Sequence, residues 1–213
     1  AGAQVAFPPE AVEMPLGRIL AEHQMKQLRI AESEKERFVS FYFNGLRGPF
    51  PGEDKVIIPS PKVSTYDQMP EMSAKEITSE LLKRLKSDYG YSFILVNLAN
   101  PDMVSHTGNI GATVTACQVV DECIGQISNF VLGYNGALII TSDHGNAEEM
   151  ITYKSEGFFF ATDKGKTNTE HSNNPVPFII VDQQFFDTGK KMNSGTLVDV
   201  APTILSLWGV PVP

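Results

Sequence analysis

The feature that most constrains the fold is an alternation of strand-length apolar runs with helical segments. Segment 73–89 repeats apolar residues on one helical face, and the run 91–99 is typical of a strand buried on both faces of a sheet. A helix, two strands and a closing helix are then predicted over residues 110–134, 137–142, 176–181 and 197–210. This order predicts an α/β fold with right-handed crossovers, in which helices cover both faces of a mostly parallel sheet.

The N-terminal third of the chain differs in composition from the rest. A Pro-rich connector leads into a short helix and then a short strand around Leu28 to Ile30. His23 lies on the polar side of that helix and is expected to be solvated. Segment 45–74 is rich in Pro, Gly and polar residues, and its length predicts an extended or functional surface loop.

The composition excludes several classes of partner. The chain has 213 residues and a formal net charge of -8, and it lacks the basic stripe that tracks a phosphate backbone, so we expect no nucleic acid partner and no anionic membrane partner. The longest apolar runs are far shorter than the roughly 20 residues that span a bilayer. The negative net charge does not exclude anionic substrates, since a bound metal ion can reverse the local electrostatic field.

The termini and cysteines point to a cytoplasmic protein. The first residues lack the charged and apolar regions of a signal peptide, and the chain begins without Met. Cys117 and Cys123 are six positions apart in one predicted helix, which places them on different faces. This spacing argues against a disulfide and favours a reducing compartment.

Two motifs place an aspartate and a histidine close together. In "NLANPDMVSHTGN" (97–109), Asp102 and His106 are four residues apart and meet on one side if the loop makes a single helical turn. In "IITSDHGNAEEM" (139–150), Asp143 and His144 are adjacent and converge only on a turn that leaves the strand, where Gly145 supplies the exit. His171 lies in the loop that leads into another strand.

These five side chains share the chemistry of a metal site. Carboxylate and imidazole ligands without thiolate suit Mn, Zn, Co or Mg rather than copper(I) or an iron–sulfur cluster. Each motif alone has an ordinary explanation: a DxxxH pair recurs by chance, and His171 could be a surface or capping histidine. Five ligands are too many for one open catalytic metal and too few to fill two, so a second metal would need ligands from outside the chain.

Six stretches together resemble cofactor-independent phosphoglycerate mutase of the alkaline phosphatase superfamily. They are "VAFPPE", "KQLRIAESEKERFVSFYFNG", "PFPGEDKVIIPSPKVSTYDQMPEMSA", "LVNLANPDMVSHTGN", "TSDHGNAEEM" and "HSNNPVPFI". The resemblance implies an enzyme with two metal ions, usually manganese, that interconverts 3-phosphoglycerate and 2-phosphoglycerate through a phosphoserine. It assigns Asp102, His106 and His171 to one metal, Asp143 and His144 to the other, and Lys35 of "AESEK" to contact with the phosphoryl group.

The chain also departs from this family. The resemblance implies that residues 1–213 are the C-terminal part of the phosphatase-like domain, with 1–9 as the connector that returns from an inserted transferase domain. The nucleophilic serine, its neighbouring metal ligands and at least one strand would then belong to an N-terminal part of the same polypeptide. The isolated chain is expected to be inactive, and the full-length enzyme to be a monomer. Segment 151–170, with three consecutive phenylalanines, has no evident counterpart and could be a packed hairpin or a loop over the site.

Two other functions stay open at this point. One is a different superfamily member, such as a phosphopentomutase or a hydrolysing phosphatase. The other is a metal-binding or interaction module without catalysis, for which apolar surface beside an unpaired strand would suggest a partner chain. "AESEK" and "PEMSA" favour the mutase over the first of these.

Overall fold

Strand β1 (Gln27–Glu32) is the centre of a three-stranded parallel sheet, between β2 (Glu53–Ile58) and β3 (Phe93–Val96). Every residue of β1 is buried, as expected for a central strand of a parallel sheet whose two faces are both covered. This sheet and its helices confirm the predicted α/β class. The computed structural model describes residues 5–87, 90–152, 165–186, 188 and 191–213.

The chain divides into two units, which are described separately. The first comprises Ala1–Ile58, Arg84–Asn97 and Val198–Pro213. It contains the parallel sheet with helices α1 (Leu16–Glu22) and α5 (Val200–Leu207). Its apolar core is formed by Leu16, Ile19, Leu20, Leu205 and Val210. Burial of these side chains is the main force that holds the two helices together.

The second unit comprises Pro59–Lys83 and Leu98–Leu197. Most of α2 (Ala74–Lys86) belongs to it, followed by the elements α3 (Asn100–Ser105), α4 (Ile110–Gly133), β4 (Leu138–Thr141), β5 (Ile151–Thr152), β6 (Lys166–Thr167) and β7 (Phe178–Val181). Two small cores contact α4 through Ala116 on one turn and through Val119 and Cys123 farther along. The long helix therefore organises this unit.

Three predictions about individual strands are wrong. Strands β4 and β7 pair antiparallel, with Leu138 opposite Val181. The described parts of their connection contain only a 3-10 turn and two short strands, so no crossover helix turns the chain for parallel pairing. Strand β2 lies inside segment 45–74, which the sequence predicts as a loop, because flanking Pro and Gly residues obscure the apolar pattern of Val56 to Ile58.

The third wrong prediction concerns the burial of β3. Its four residues are only half-buried, although the apolar run predicts burial on both faces. Among the described residues β3 pairs with β1 alone, with Phe93 opposite Gln27. An edge strand of this kind leaves part of its surface uncovered.

Segment 151–170 is described only at its ends. Strands β5 and β6 pair antiparallel, with Ile151 opposite Thr167, and the three phenylalanines lie outside the described residues. Elsewhere, Cys117 is exposed, Cys123 is buried, and both are free thiols. Within the described ranges, no helix is both long and apolar enough to cross a membrane.

Candidate metal centre

The short helix α3 brings Asp102 and His106 onto one face. The His106 amide donates to the Asp102 carbonyl at 3.2 Å, so the single helical turn expected from the spacing is present. His106 Nε2 then lies 3.1 Å from Asp102 Oδ1. The buried Asn100 anchors the start of the helix, since its Nδ2 donates to the carbonyls of Pro70 and Glu71 at 3.0 and 2.6 Å.

His171 completes a triangle with these two residues. Its Nε2 lies 3.1 Å from His106 Nε2 and 3.2 Å from Asp102 Oδ1. Ligand atoms about 2.1 Å from one ion, at angles between those of octahedral and tetrahedral geometry, are separated by roughly 3.0–3.4 Å. The three atoms therefore have the spacing of ligands that share one metal ion.

The tautomer of His106 is fixed by a backbone carbonyl. His106 Nδ1 lies 2.6 Å from the Thr169 carbonyl oxygen, which can only accept, so Nδ1 carries a hydrogen. A neutral His106 ring then turns the lone pair of Nε2 toward the Asp102 carboxylate. Two acceptors at 3.1 Å repel each other unless a proton or a metal ion lies between them. The donor set thus fits a cation.

Asp143 and His144 follow the end of strand β4 in the second unit. His144 Nε2 lies 3.5 Å from Asp143 Oδ1, and its Nδ1 lies 3.3 Å from the Gly145 carbonyl. The His144 ring stacks on that of His171 with a centroid distance of 3.6 Å. The two adjacent side chains do converge, as expected for residues on a turn.

His144 also approaches the first group of ligands. Asp102, His144 and His171 each offer a ligand atom within 4.8 Å of the others. The side chain of Asp143 is 70% exposed, whereas that of Asp102 is 18% exposed. His171 is therefore the shared neighbour of both motifs, and Asp143 is the outermost of the five predicted ligands.

Lys35 belongs to the first unit. It ends a short 3-10 turn, Ser33–Lys35. Its Nζ lies 4.8 Å from the centroid of the Phe38 ring, a cation–π contact within the first unit. A five-residue π-helix, Phe38–Tyr42, follows this turn, and the sequence pattern gave no sign of it.

Two polar residues near the candidate ligands are not predicted by the sequence analysis. Asn146, which is 5% exposed, donates from Nδ2 to Asp102 Oδ1 at 3.0 Å. Glu148 accepts hydrogen bonds from the loop that carries His171, and the Ser172 hydroxyl is the first cause that lowers the pKa of its carboxyl to about 2. Both residues are in "SDHGNAEEM", and their proximity to the Asp-His pair was the available signal.

Comparison with known proteins identifies the family. The sequence profile of the metalloenzyme superfamily matches residues 5–212. The chain belongs to the metalloenzyme superfamily. This membership agrees with a cluster of carboxylate and imidazole ligands in the second unit.

Individual relatives point to one kind of enzyme within this superfamily. The chain is 47% identical over 212 residues to the 2,3-bisphosphoglycerate-independent phosphoglycerate mutase of Moorella thermoacetica, covering 99% of this chain and 38% of that protein. It is 48% identical over 211 residues to the mutase of the same name from Clostridium botulinum, covering 99% and 39%. The resemblance to this kind of mutase is thus confirmed. The chain spans well under half the length of these relatives and matches a C-terminal part of them.

A solved structure shares the fold. The chain superposes on Leishmania mexicana phosphoglycerate mutase, studied at low cobalt concentration, with a TM-score of 0.78 and 29% sequence identity. The superposition covers 91% of this chain and 36% of that protein. The α/β fold of a metalloenzyme superfamily member is therefore supported by sequence and by structure.

Proposed function

We propose that the chain is the metal-binding part of a phosphoglycerate mutase that interconverts 3-phosphoglycerate and 2-phosphoglycerate. The observation that carries this proposal is the 3.1 Å approach of His106 Nε2 to both Asp102 Oδ1 and His171 Nε2. It is supported by similarity to mutases over 99% of the chain. In this proposal residues 1–213 are the C-terminal part of the phosphatase-like domain, and 1–9 are a connector from another part of the polypeptide.

Two divalent metal ions are part of the proposal. Asp102, His106 and His171 hold one, and Asp143 and His144 contribute to the other. When bound, such ions polarise a phosphoryl oxygen and lower the pKa of a nucleophile. Manganese is our first choice, with Co, Mg or Zn as alternatives, because the ligands are oxygen and imidazole nitrogen.

Three residues outside the candidate ligand set have distinct roles in the proposed function. The Thr169 carbonyl keeps the His106 ring in the tautomer whose Nε2 faces the other ligands. Asn146 holds the Asp102 carboxylate by donating to Oδ1, and that oxygen keeps a second lone pair for a ligand bond. Lys35, as the family motif implies, contacts the transferred phosphoryl group as a cation.

The nucleophile and the compartment complete the proposal. No serine in the sequence matches the nucleophile motif of the mutases, so the phosphoserine is assigned to an N-terminal part of the polypeptide, and the isolated chain does not turn over substrate. We place the whole enzyme in the cytoplasm as a monomer. The free thiols of Cys117 and Cys123 fit a reducing compartment.

The test is an assay of 3-phosphoglycerate conversion to 2-phosphoglycerate with manganese added. The 213-residue chain should be inactive, whereas a chimera that joins it to the N-terminal part of the Moorella thermoacetica mutase should be active. The same chimera should prefer phosphoglycerates to ribose phosphates and should not release free phosphate. Turnover by the 213 residues alone, or preference for a ribose phosphate, would contradict the proposal.

A further inference from the structure

Glu148 lies between the two loops that carry His144 and His171. Three groups donate to its carboxylate: the backbone N–H of Asn146 to Oε2 at 2.8 Å, the Ser172 hydroxyl to Oε1, and Asn174 Nδ2 to Oε1 at 3.1 Å. Asn146 is two residues from His144, and Ser172 directly follows His171. One side chain therefore joins both loops within two residues of a candidate ligand.

The same connection extends to helix α3, which carries Asp102. The Asn146 amide nitrogen is held by Glu148, while its side chain donates to Asp102 Oδ1 at 3.0 Å. The Ser172 amide also donates to the Gly145 carbonyl at 2.8 Å. The chain of contacts thus runs from Asp102 through Asn146 and Glu148 to the residue beside His171.

Gly145 is the residue that permits this arrangement. A Cβ built on Gly145 would overlap both Ser172 Oγ and Glu148 Oε1. Here glycine leaves room for the Ser172 hydroxyl and the Glu148 carboxylate, and it is not needed for a left-handed conformation. The contact between the loops is built into the backbone at this position.

On the basis of the metal site proposed above, we propose that Glu148 is a positioning residue that holds His171 beside Asp102 and His144. Glu148 is exposed and touches none of the five candidate ligands in any described contact. Its effect is indirect: it fixes the two loops so that His171 Nε2 lies 3.2 Å from Asp102 Oδ1 and the His171 ring stacks on that of His144. A metal site whose ligands are held in place in this way binds its ion more tightly, because less order has to be imposed on binding.

The test compares Glu148→Gln with Glu149→Gln. Glutamine has the size of glutamate, but it replaces one accepting oxygen with an amide that donates. Glu149 is the matched control, because its side chain accepts from Asn174 and makes no described bond to Asn146 or Ser172. Manganese dissociation constants are measured by isothermal titration calorimetry. Exchange of the Ser172 amide hydrogen in the metal-free chain is followed by NMR.

We expect the manganese dissociation constant of Glu148→Gln to rise about 10–100-fold, as for outer-shell changes at other metal sites, while Glu149→Gln stays close to the unmodified chain. The Ser172 amide should exchange faster in Glu148→Gln alone. Ser172→Ala should weaken manganese binding in the same direction, with urea unfolding midpoints of all three variants close together.

The outcomes separate the two proposals. If the unmodified chain binds no manganese, the metal site fails and the role of Glu148 fails with it. If the unmodified chain binds manganese and Glu148→Gln binds it equally well, only the positioning role is overturned. A fall in the unfolding midpoint of Glu148→Gln that matches its loss of affinity would also overturn that role, because it would show general support of the fold.

Discussion

His106 and His171 are separated by 65 positions in the sequence, yet their Nε2 atoms lie 3.1 Å apart. The Thr169 carbonyl accepts from His106 Nδ1, and the Glu148 carboxylate accepts from Ser172, the residue that follows His171. When the His106 ring is neutral, its Nε2 and Asp102 Oδ1, which lie 3.1 Å apart, are both acceptors, and their approach is unfavourable without a proton or a cation between them. The account of this chain as a metal-binding part of a larger enzyme rests on that contact.

The assignment of two metals predicts the effect of His144→Ala. The variant should lose the weaker of two manganese ions and keep the tighter one, because Asp102, His106 and His171 are unchanged. Equilibrium dialysis gives the stoichiometry, and Asp143→Asn should behave in the same way. Loss of the tighter ion in His144→Ala would instead place His144 with Asp102 and His171, whose ligand atoms lie within 4.8 Å of it.

Glu148 should titrate far below an ordinary glutamate. The pKa of its carboxyl is lowered to about 2, first through the Ser172 hydroxyl. Because the folded pKa is depressed, the stability it contributes is present above the unfolded pKa of about 4.3 and is lost as the pH falls toward 2. Since the carboxylate is exposed, solvent screening keeps this contribution to the stability of the fold small. Carboxyl 13C NMR should show this low midpoint in the unmodified chain and a higher one in Ser172→Ala. Equal midpoints in the two proteins would remove the Ser172 hydroxyl as the cause.

Tyr91→Phe should destabilise the first unit. The Tyr91 hydroxyl donates to Asp54 Oδ2 at 2.7 Å and is the first cause that lowers the pKa of Asp54. Removing it should cost about 0.5–1.5 kcal/mol in the free energy of unfolding at neutral pH, measured with urea. Tyr134→Phe is the control, since that side chain is 69% exposed.

The pH dependence of this loss has a defined sign. Since the folded pKa of Asp54 is lowered, the stabilisation from Tyr91 is complete above the unfolded pKa of about 3.9 and declines as the pH falls through the folded value. The difference between Tyr91→Phe and the unmodified chain should therefore narrow in acid. A difference that grows as the pH falls would show that the hydroxyl acts elsewhere.

Replacement by alanine should change the stability of the chain in opposite directions at two glycines. Gly108 has a φ of +75°, and a Cβ built on it would lie 2.6 Å from Thr167 Cγ2. The left-handed conformation alone should lower the free energy of unfolding of Gly108→Ala by about 1–2 kcal/mol. Gly125 is inside α4, and among described residues no atom outside its own helix surroundings lies within 4 Å of its built Cβ. Gly125→Ala should therefore raise the free energy of unfolding by about 0.5–1 kcal/mol.

A double variant separates the two effects at Gly108. Thr167→Ser removes the methyl group that a Cβ at Gly108 would meet, so Gly108→Ala with Thr167→Ser should recover only the steric part of the loss. Thermal and urea unfolding both report the difference. Full recovery would mean that the positive φ imposes no cost on alanine.

Much of the second unit could be predicted because its signals are local. The spacing of Asp102 and His106 fixed their meeting on one helical turn, and the apolar period of 110–134 predicted α4, which spans Ile110–Gly133. Adjacent Asp143 and His144 could be placed on a turn because they directly follow a strand. In each case the evidence lay within a few residues of the feature.

What could not be predicted depends on distant contacts. The antiparallel pairing of β4 and β7 is decided by how their long connection returns, and β2 is recognisable only by its partner β1. The roles of Asn146 and Glu148 arise from bonds to Asp102 and Ser172, which are 44 and 24 positions away. A single sequence carries no direct sign of such pairs.

Manganese binding by His106→Ala and His171→Ala is the decisive measurement for the proposed metal site. Equilibrium dialysis of these variants is compared with His23→Ala, whose histidine is exposed at the end of α1 and contacts only the Ile19 carbonyl in the described bonds. We expect His23→Ala to keep the full stoichiometry, whereas His106→Ala and His171→Ala should each lose the tighter ion. Unchanged binding in both of these variants would contradict it.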